Sequence, residues 1–101
     1  MSITIDQRAF DGPFTSADHL APRSGVYVIL GRNGDKLPWA VVDVGESGDV
    51  RERVANHDRK PCWLGRRHAT LAVAAHYCNA VTRMLVEARL RAAYQPPCGI
   101  R

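Results

Sequence analysis

Gly25-Val26-Tyr27-Val28-Ile29-Leu30, followed after a turn by Trp39-Ala40-Val41-Val42-Asp43-Val44 and then Gly45-Glu46-Ser47-Gly48, is the stretch that decides the fold. The first run, rich in β-branched and aromatic residues, reads as a buried strand. Asn33-Gly34, inside the segment from Gly31 to Pro38, supplies a turn, and residues 39–44 read as a second strand. The two are expected to pair as an antiparallel hairpin, which the glycines at 45 and 48 bring to an end.

Toward the C-terminus, Asp49 with Glu52 three residues later has the form of a capping box opening a helix. Val50 and Val54 give that helix one apolar side, with Arg51, Arg53 and His57 on others. A loop is expected around Pro61. Over 69–77, Leu71, Val73, Ala75 and Tyr77 alternate with Thr70, Ala72, Ala74 and His76, which predicts a third strand. Asn79 caps a long final helix with a core stripe of Val81, Leu85, Ala88 and Ala92, and Pro96-Pro97 closes it. Toward the N-terminus, Ile3 and Ile5 alternate, a loop rich in Gly, Pro and Ser follows, and Ser16 caps a short helical turn at 17–20. The resulting β-β-α-β-α order predicts an α+β domain over residues 24–101, a three-stranded antiparallel sheet flanked by helices. Residues 1–23 are expected to form an N-terminal extension packed on it.

Composition sets the outer limits. A chain of 101 residues, 46% hydrophobic and 24% charged, suits one soluble globular domain. No apolar run reaches the roughly 18–20 residues that cross a bilayer, so no membrane association is expected, and the start does not read as a secretory signal. Three widely spaced cysteines, Cys62, Cys78 and Cys98, suggest a reduced, cytoplasmic chain rather than a disulfide framework. His57, Cys62, His68, His76 and Cys78 lack the paired spacings of a zinc site, and no phosphate-binding loop of the P-loop type is present.

Lys and Arg number 14 against 10 acids, giving a net charge of +4. All but two of these cations are arginines, whose planar fork suits phosphate. Arg51, Arg53, Arg59, Lys60, Arg66 and Arg67 fall within seventeen positions. Arg51, Arg59, Lys60, Arg66 and Arg67 are therefore candidate contacts to nucleic acid, against the alternative of an ordinary solvated surface. Trp63 among them is either a base-stacking platform or a partly buried side chain.

Chemistry concentrates on Tyr27 in the first strand, Asp43 in the second, Arg53 and His57 one helical step apart, and Glu87 in the last helix. Gly25-Val26-Tyr27, Asp43-Val44-Gly45, Ser47, Arg53, His57, Glu87 and the Pro96-Pro97 end resemble, in order and spacing, the GIY-YIG nuclease family over residues 24–99. The resemblance implies a Mg²⁺- or Mn²⁺-dependent endonuclease that hydrolyses DNA phosphodiester bonds, of the kind used in repair or restriction. Glu87 would then hold the metal, Arg53 clamp the phosphate, and Tyr27 position or deprotonate water, with His57 as the competing base. With no separate DNA-reading domain, low sequence specificity and a preference for single-stranded or branched DNA are expected. Two positions depart from the pattern: Asp43 stands where the family has tyrosine, and Gly99 where it usually has asparagine. Asp43 is accordingly read as a brace for the turn, a supplementary metal ligand or a substitute base. A catalytically degenerate nucleic-acid-binding module on the same scaffold is the alternative function, and a protein-interaction domain a third.

Overall fold

The computed structural model describes residues 1–99 and places the predicted hairpin at one end of the sheet, its first strand inside and its second at the edge. In chain order the elements are β1 (Ser2–Ile5), β2 (Arg8–Phe14), a 3-10 turn (Ala17–His19), β3 (Gly25–Arg32) and β4 (Ala40–Ser47). They are followed by α1 (Val50–Ala55), α2 (Lys60–Gly65), β5 (Thr70–Tyr77) and α3 (Ala80–Tyr94). β3 pairs antiparallel with β4 on one side and with β5 on the other. The α+β class and the antiparallel pairing are as expected; the strand number is not. The sheet has five strands in the order β1-β2-β5-β3-β4, because residues 2–14 form a hairpin that docks antiparallel on β5. The stretch read as an extension is thus part of the sheet, while residues 100 and 101 of the expected domain lie outside the described residues.

The caps are where the sequence puts them. Ser16 Oγ accepts from the Asp18 N–H, Asp49 from Glu52 and Asn79 from Thr82. The loop expected around Pro61 is instead α2. Proline in a first helical turn forfeits only an N–H that has no intrahelical acceptor, so it opens this helix rather than breaking it.

Strand alternation divides the core between two faces. Tyr27, Ile29, Val42 and Val73 pack with Val50, Val54 and Trp63 under α1 and α2. Val26, Val28, Leu30, Val44 and Ala74 pack with Val86 and Leu90 of α3. Between them β4 is bulged: Ile29 pairs with Asp43 but Leu30 with Val41. The extra residue, Val42, puts both Val42 and Asp43 on the α1/α2 face, the kind of re-aiming a bulge provides.

α3 is rotated relative to expectation. Its buried residues are Val86, Glu87 and Leu90, while Val81 and Leu85 are 70% and 68% exposed and Ala88 and Ala92 also face outward. Polar ties on its inner flank set this rotation. Arg83 donates to Glu46 Oε2 and Ser24 Oγ, and Arg91 to Asp43 Oδ1 and the Val44 carbonyl. Arginines that look solvated in a helical pattern here hold the helix against the edge strand. Among the described residues no helix is long and apolar enough to cross a membrane.

The cysteines overturn the expectation of a fully reduced chain. Cys62 of α2 and Cys98, beyond α3, form a disulfide at a sequence separation of 36, leaving Cys78 free. An odd count permits one bridge and one thiol, and only folding brings these two distant positions within 5.9 Å, Cα to Cα. Cys98 is fully buried and its N–H donates to the Val42 carbonyl, so the bridge ties the C-terminal segment to both α2 and β4.

Reduction of this bridge is expected to lower stability by up to about 4 kcal/mol, the loop-closure value for a crosslink of this span. Urea titrations with and without a dithiol reductant read the change directly, with Cys62→Ser/Cys98→Ala insensitive to reductant. Gly45 pairs with Tyr27 across the hairpin, and a Cβ on it would overlap the Tyr27 hydroxyl. Gly45→Ala should therefore cost roughly 1–3 kcal/mol as overpacking in the same titration, and an unchanged midpoint would show that Tyr27 can move aside.

Candidate active site

Tyr27 leaves the central strand toward α1 and α2 and crosses the bare backbone of Gly45. Its hydroxyl lies 2.6 Å from His57 Nε2, and both residues are buried, at 1% and 4% exposure. His57 follows α1 and is held edge-on to Tyr27 and tilted against the Trp63 ring. Its Nδ1 accepts the Arg59 backbone N–H at 3.0 Å. A neutral imidazole has one donor and one acceptor nitrogen. With Nδ1 accepting, the hydrogen-bond pattern assigns the proton to Nε2, which donates to the Tyr27 oxygen and leaves the phenolic O–H free to donate elsewhere.

Burial sets the titration of this pair, and neighbouring cations modify it. Desolvation pushes the Tyr27 pKa up to about 12, against the lowering effect of Arg53 and Arg59. For His57 burial, then Arg53 and Arg59, all disfavour the cation and bring its pKa down to about 4. The imidazole is thus a neutral donor at physiological pH. The sequence leaves the base role open between Tyr27 and His57; this geometry leaves His57 no free lone pair for it. Arg53 is the cation beside the pair, bonding with the Tyr27 side chain and donating to Asp58 Oδ1 at 2.9 Å.

Asp43 sits next to this pair but is turned inward, with no exposure. Its Oδ1 accepts from the Val44 N–H at 2.8 Å, Arg59 Nη2 at 3.3 Å and Arg91 Nη2 at 2.8 Å. Its Oδ2 accepts from Arg59 Nε at 2.7 Å and Trp63 Nε1 at 2.8 Å. Five donors on two oxygens leave no lone pair for a metal ion or a water, which removes Asp43 as a metal ligand or substitute base. The expected turn at Gly45 is absent as well, since β4 runs through Gly45 to Ser47; what Asp43 braces is the packing of α2 and α3 against β4.

Arg91 carries the row across the edge of the sheet. Its Nε lies 3.5 Å from Glu87 Oε2, one helical turn away on α3. Glu87 is only 7% exposed and lines an open groove of about 610 Å³ with Arg91, Gln95, Pro96 and Gly99. Gly99 has a φ of +76°, and a Cβ there would come within 2.7 Å of Arg91 Nη2 and 2.9 Å of Arg59 Nε. The two departures from the nuclease pattern therefore belong to one unit, since the arginines that clamp Asp43 fill the space a side chain at 99 would need.

The expected site residues form a connected row. Tyr27, His57 and Arg53 meet directly, Asp43 lies beneath them, and Glu87 connects through Arg91. Of the expected nucleic-acid contacts, Arg51, Lys60, Arg66 and Arg67 are exposed, whereas Arg59 is committed to Asp43. Trp63 is buried, which excludes it as a base-stacking platform. The sequence reading missed Arg59, Arg91 and Trp63 as partners of Asp43. Its one legible sign was the i,i+4 spacing of Glu87 and Arg91, which reads equally as a surface ion pair.

Among the described residues no group of three His, Cys, Asp or Glu side chains is placed to hold a metal ion. What the groove offers is one carboxylate, Glu87. That donor set fits a hydrated Mg²⁺, which commonly takes one or two protein carboxylates, and fits neither zinc nor calcium. Comparison of the chain with protein-family models, with curated proteins and with solved structures finds no match.

The depressed His57 pKa has a testable sign. Between pH 6.5 and about 4 the unfolded chain binds a proton at residue 57 that the folded chain refuses. Stability is thus fully present above pH 6.5 and falls as pH drops through that window, by up to about 3 kcal/mol. Denaturant titrations from pH 7 to 4.5 should show this loss, and His57→Gln should flatten it by about one proton's slope, ~1.4 kcal/mol per pH unit. Parallel slopes in the two proteins would refute the assignment.

Proposed function

We propose that this protein is a small Mg²⁺-dependent endonuclease of the GIY-YIG type that hydrolyses DNA phosphodiester bonds with low sequence specificity, directed by single-stranded or branched structure. The observation that carries the reading is the buried Tyr27–His57 pair at 2.6 Å, seated on Gly45 with Arg53 beside it. These are the residues that the ordered resemblance names, and hydrolysis of a phosphodiester uses such a set. Tyr27 orients the attacking water; for the base role it first releases its phenolic proton to solvent, and the phenolate then takes the proton of the water and returns to the phenol. The Nε2–H of His57 and the Arg53 guanidinium stabilise the phenolate that has to form before this transfer, against the opposing cost of burial. Arg53 also offers a fork for the phosphate, with charge that grows in the transition state. Glu87 would hold the Mg²⁺, which supplies Lewis acidity and neutralises charge at the phosphate. The exposed Arg51, Lys60, Arg66 and Arg67 supply sequence-independent contacts to the backbone.

One observation favours a second reading, a nucleic-acid-binding module without catalysis. Tyr27 has 1% exposure and a pKa near 12, so its phenol is neutral and shielded. Single-stranded, nicked and duplex DNA incubated with Mg²⁺ or with chelator separates the two. The nuclease reading expects cleavage only with Mg²⁺, lost on Glu87→Gln and reduced on the order of 10²-fold or more by Tyr27→Phe. Salt-sensitive binding without cleavage, equal in wild type and Glu87→Gln, establishes the second reading instead, and an absence of both binding and cleavage rules out each.

A further inference from the structure

We infer that Asp43 is a positioning residue: by clamping Arg59 it fixes His57 in the tautomer that donates to the Tyr27 oxygen. The inference deepens the proposed function, and rests on it only for the catalytic consequence. Two connections carry it. Asp43 grips Arg59 through both Nε and Nη2, a bidentate contact that a planar guanidinium makes and an ammonium does not. The backbone N–H of that same Arg59 occupies His57 Nδ1. Residue 59 thus has its side chain anchored on β4 and its amide aimed at the imidazole, and the second depends on where the first holds the loop between α1 and α2.

The surroundings leave the imidazole few other choices. Asp58 Oδ1 lies 3.4 Å from His57 Nδ1, close enough to accept a proton there if the Arg59 amide withdraws. Such a shift would move the proton from Nε2 to Nδ1 and turn Nε2 from donor into acceptor, so that Tyr27 would donate its own proton to the ring. A phenolate at position 27 would then face a lone pair in place of the Nε2–H that stabilises it. The groups facing His57 are Tyr27, Arg53, Asp58 and Arg59, with Asp43 behind them and Trp63 against the ring. Arg59 and Trp63 both reach the carboxylate of Asp43 and the imidazole, but Trp63 meets the ring through its face, and it is Arg59 that hydrogen-bonds a ring nitrogen. Trp63 Nε1, Arg91 and the space left by Gly99 hold Asp43 itself in place.

The test needs neither metal nor nucleic acid. Nitrogen-15 shifts of His57 report which ring nitrogen carries the proton. Wild type should show a single Nε2–H form from pH 5 to 8. Asp43→Asn, which keeps the shape but loses the charge, should show mixed tautomers or an Nδ1–H form. Arg59→Lys covers the case in which the first variant does not fold; it retains the backbone N–H and a cation but not the fork, and the same shift is expected. A wild-type tautomer retained in either folded variant overturns the inference. In cleavage assays, Asp43→Asn is expected to lower kcat on the order of 10²–10⁴-fold with KM little changed, as for loss of a correctly oriented proton-transfer group. Cleavage lost with the tautomer intact also overturns it. Failure of wild type to cleave refutes the nuclease reading alone, because the tautomer is read without turnover.

Discussion

A carboxylate with no solvent contact holds this structure together. Asp43 is ionisable, fully buried and on an edge strand, and burying a lone charge costs several kcal/mol unless it is paired and hydrogen-bonded. Here the pairing is complete: two guanidiniums, an indole N–H and a backbone amide converge on its two oxygens. Those donors come from the residue that caps α2, from α2 itself and from α3, so every helix that contributes one is held in register with β4. Glu87 adds a second negative charge beside Arg91, and the pair of acids balances the pair of arginines. Removing one member of such a cluster typically costs 3–5 kcal/mol, because what remains is an unpaired buried charge.

The position of the cluster at a sheet edge explains how both helical layers can share it. α1 and α2 cover one face and α3 the other, and a side chain in the sheet's interior could touch only one of them. At β4 there is no further strand among the described residues. Arg91 therefore reaches around from the α3 face, bonding the Val44 carbonyl on the way to Asp43. The bulge at Val42 turns the carboxylate toward α2, and the bridged C-terminal segment closes the remaining side through Cys98 and Gly99.

The same low-dielectric environment governs the Tyr27–His57 pair. Burial drives both toward neutrality, raising the phenol and lowering the imidazole, while Arg53 and Arg59 favour negative charge on the tyrosine and oppose positive charge on the histidine. The cations thus lower the energy of a phenolate without making a histidine cation competitive. A pair tuned in this direction stores its proton on oxygen at rest and stabilises its departure through an N–H already in place, which is the electrostatic basis of the function proposed for it.

Local signals were enough for β3, β4, β5 and the starts of α1 and α3, though not for α2. The β-branched and aromatic run Val26–Ile29, alternation in 69–77 and the side chains of Ser16, Asp49 and Asn79 act within a few residues, so the strands and helix starts they encode are legible in the chain. Spacing likewise singled out Tyr27, Arg53, His57 and Glu87. What only the tertiary structure decided depends on partners distant in sequence: the hairpin of residues 2–14 joining β5, the outward turn of Val81 and Leu85, the bridge between Cys62 and Cys98. Asp43 is the clearest instance. Its residue type announces a charge, but its chemistry is set by Arg59, Trp63 and Arg91, which lie 16, 20 and 48 positions away. No periodicity records such separations, because they follow from how the helices cross the sheet edge and not from any repeat along the backbone.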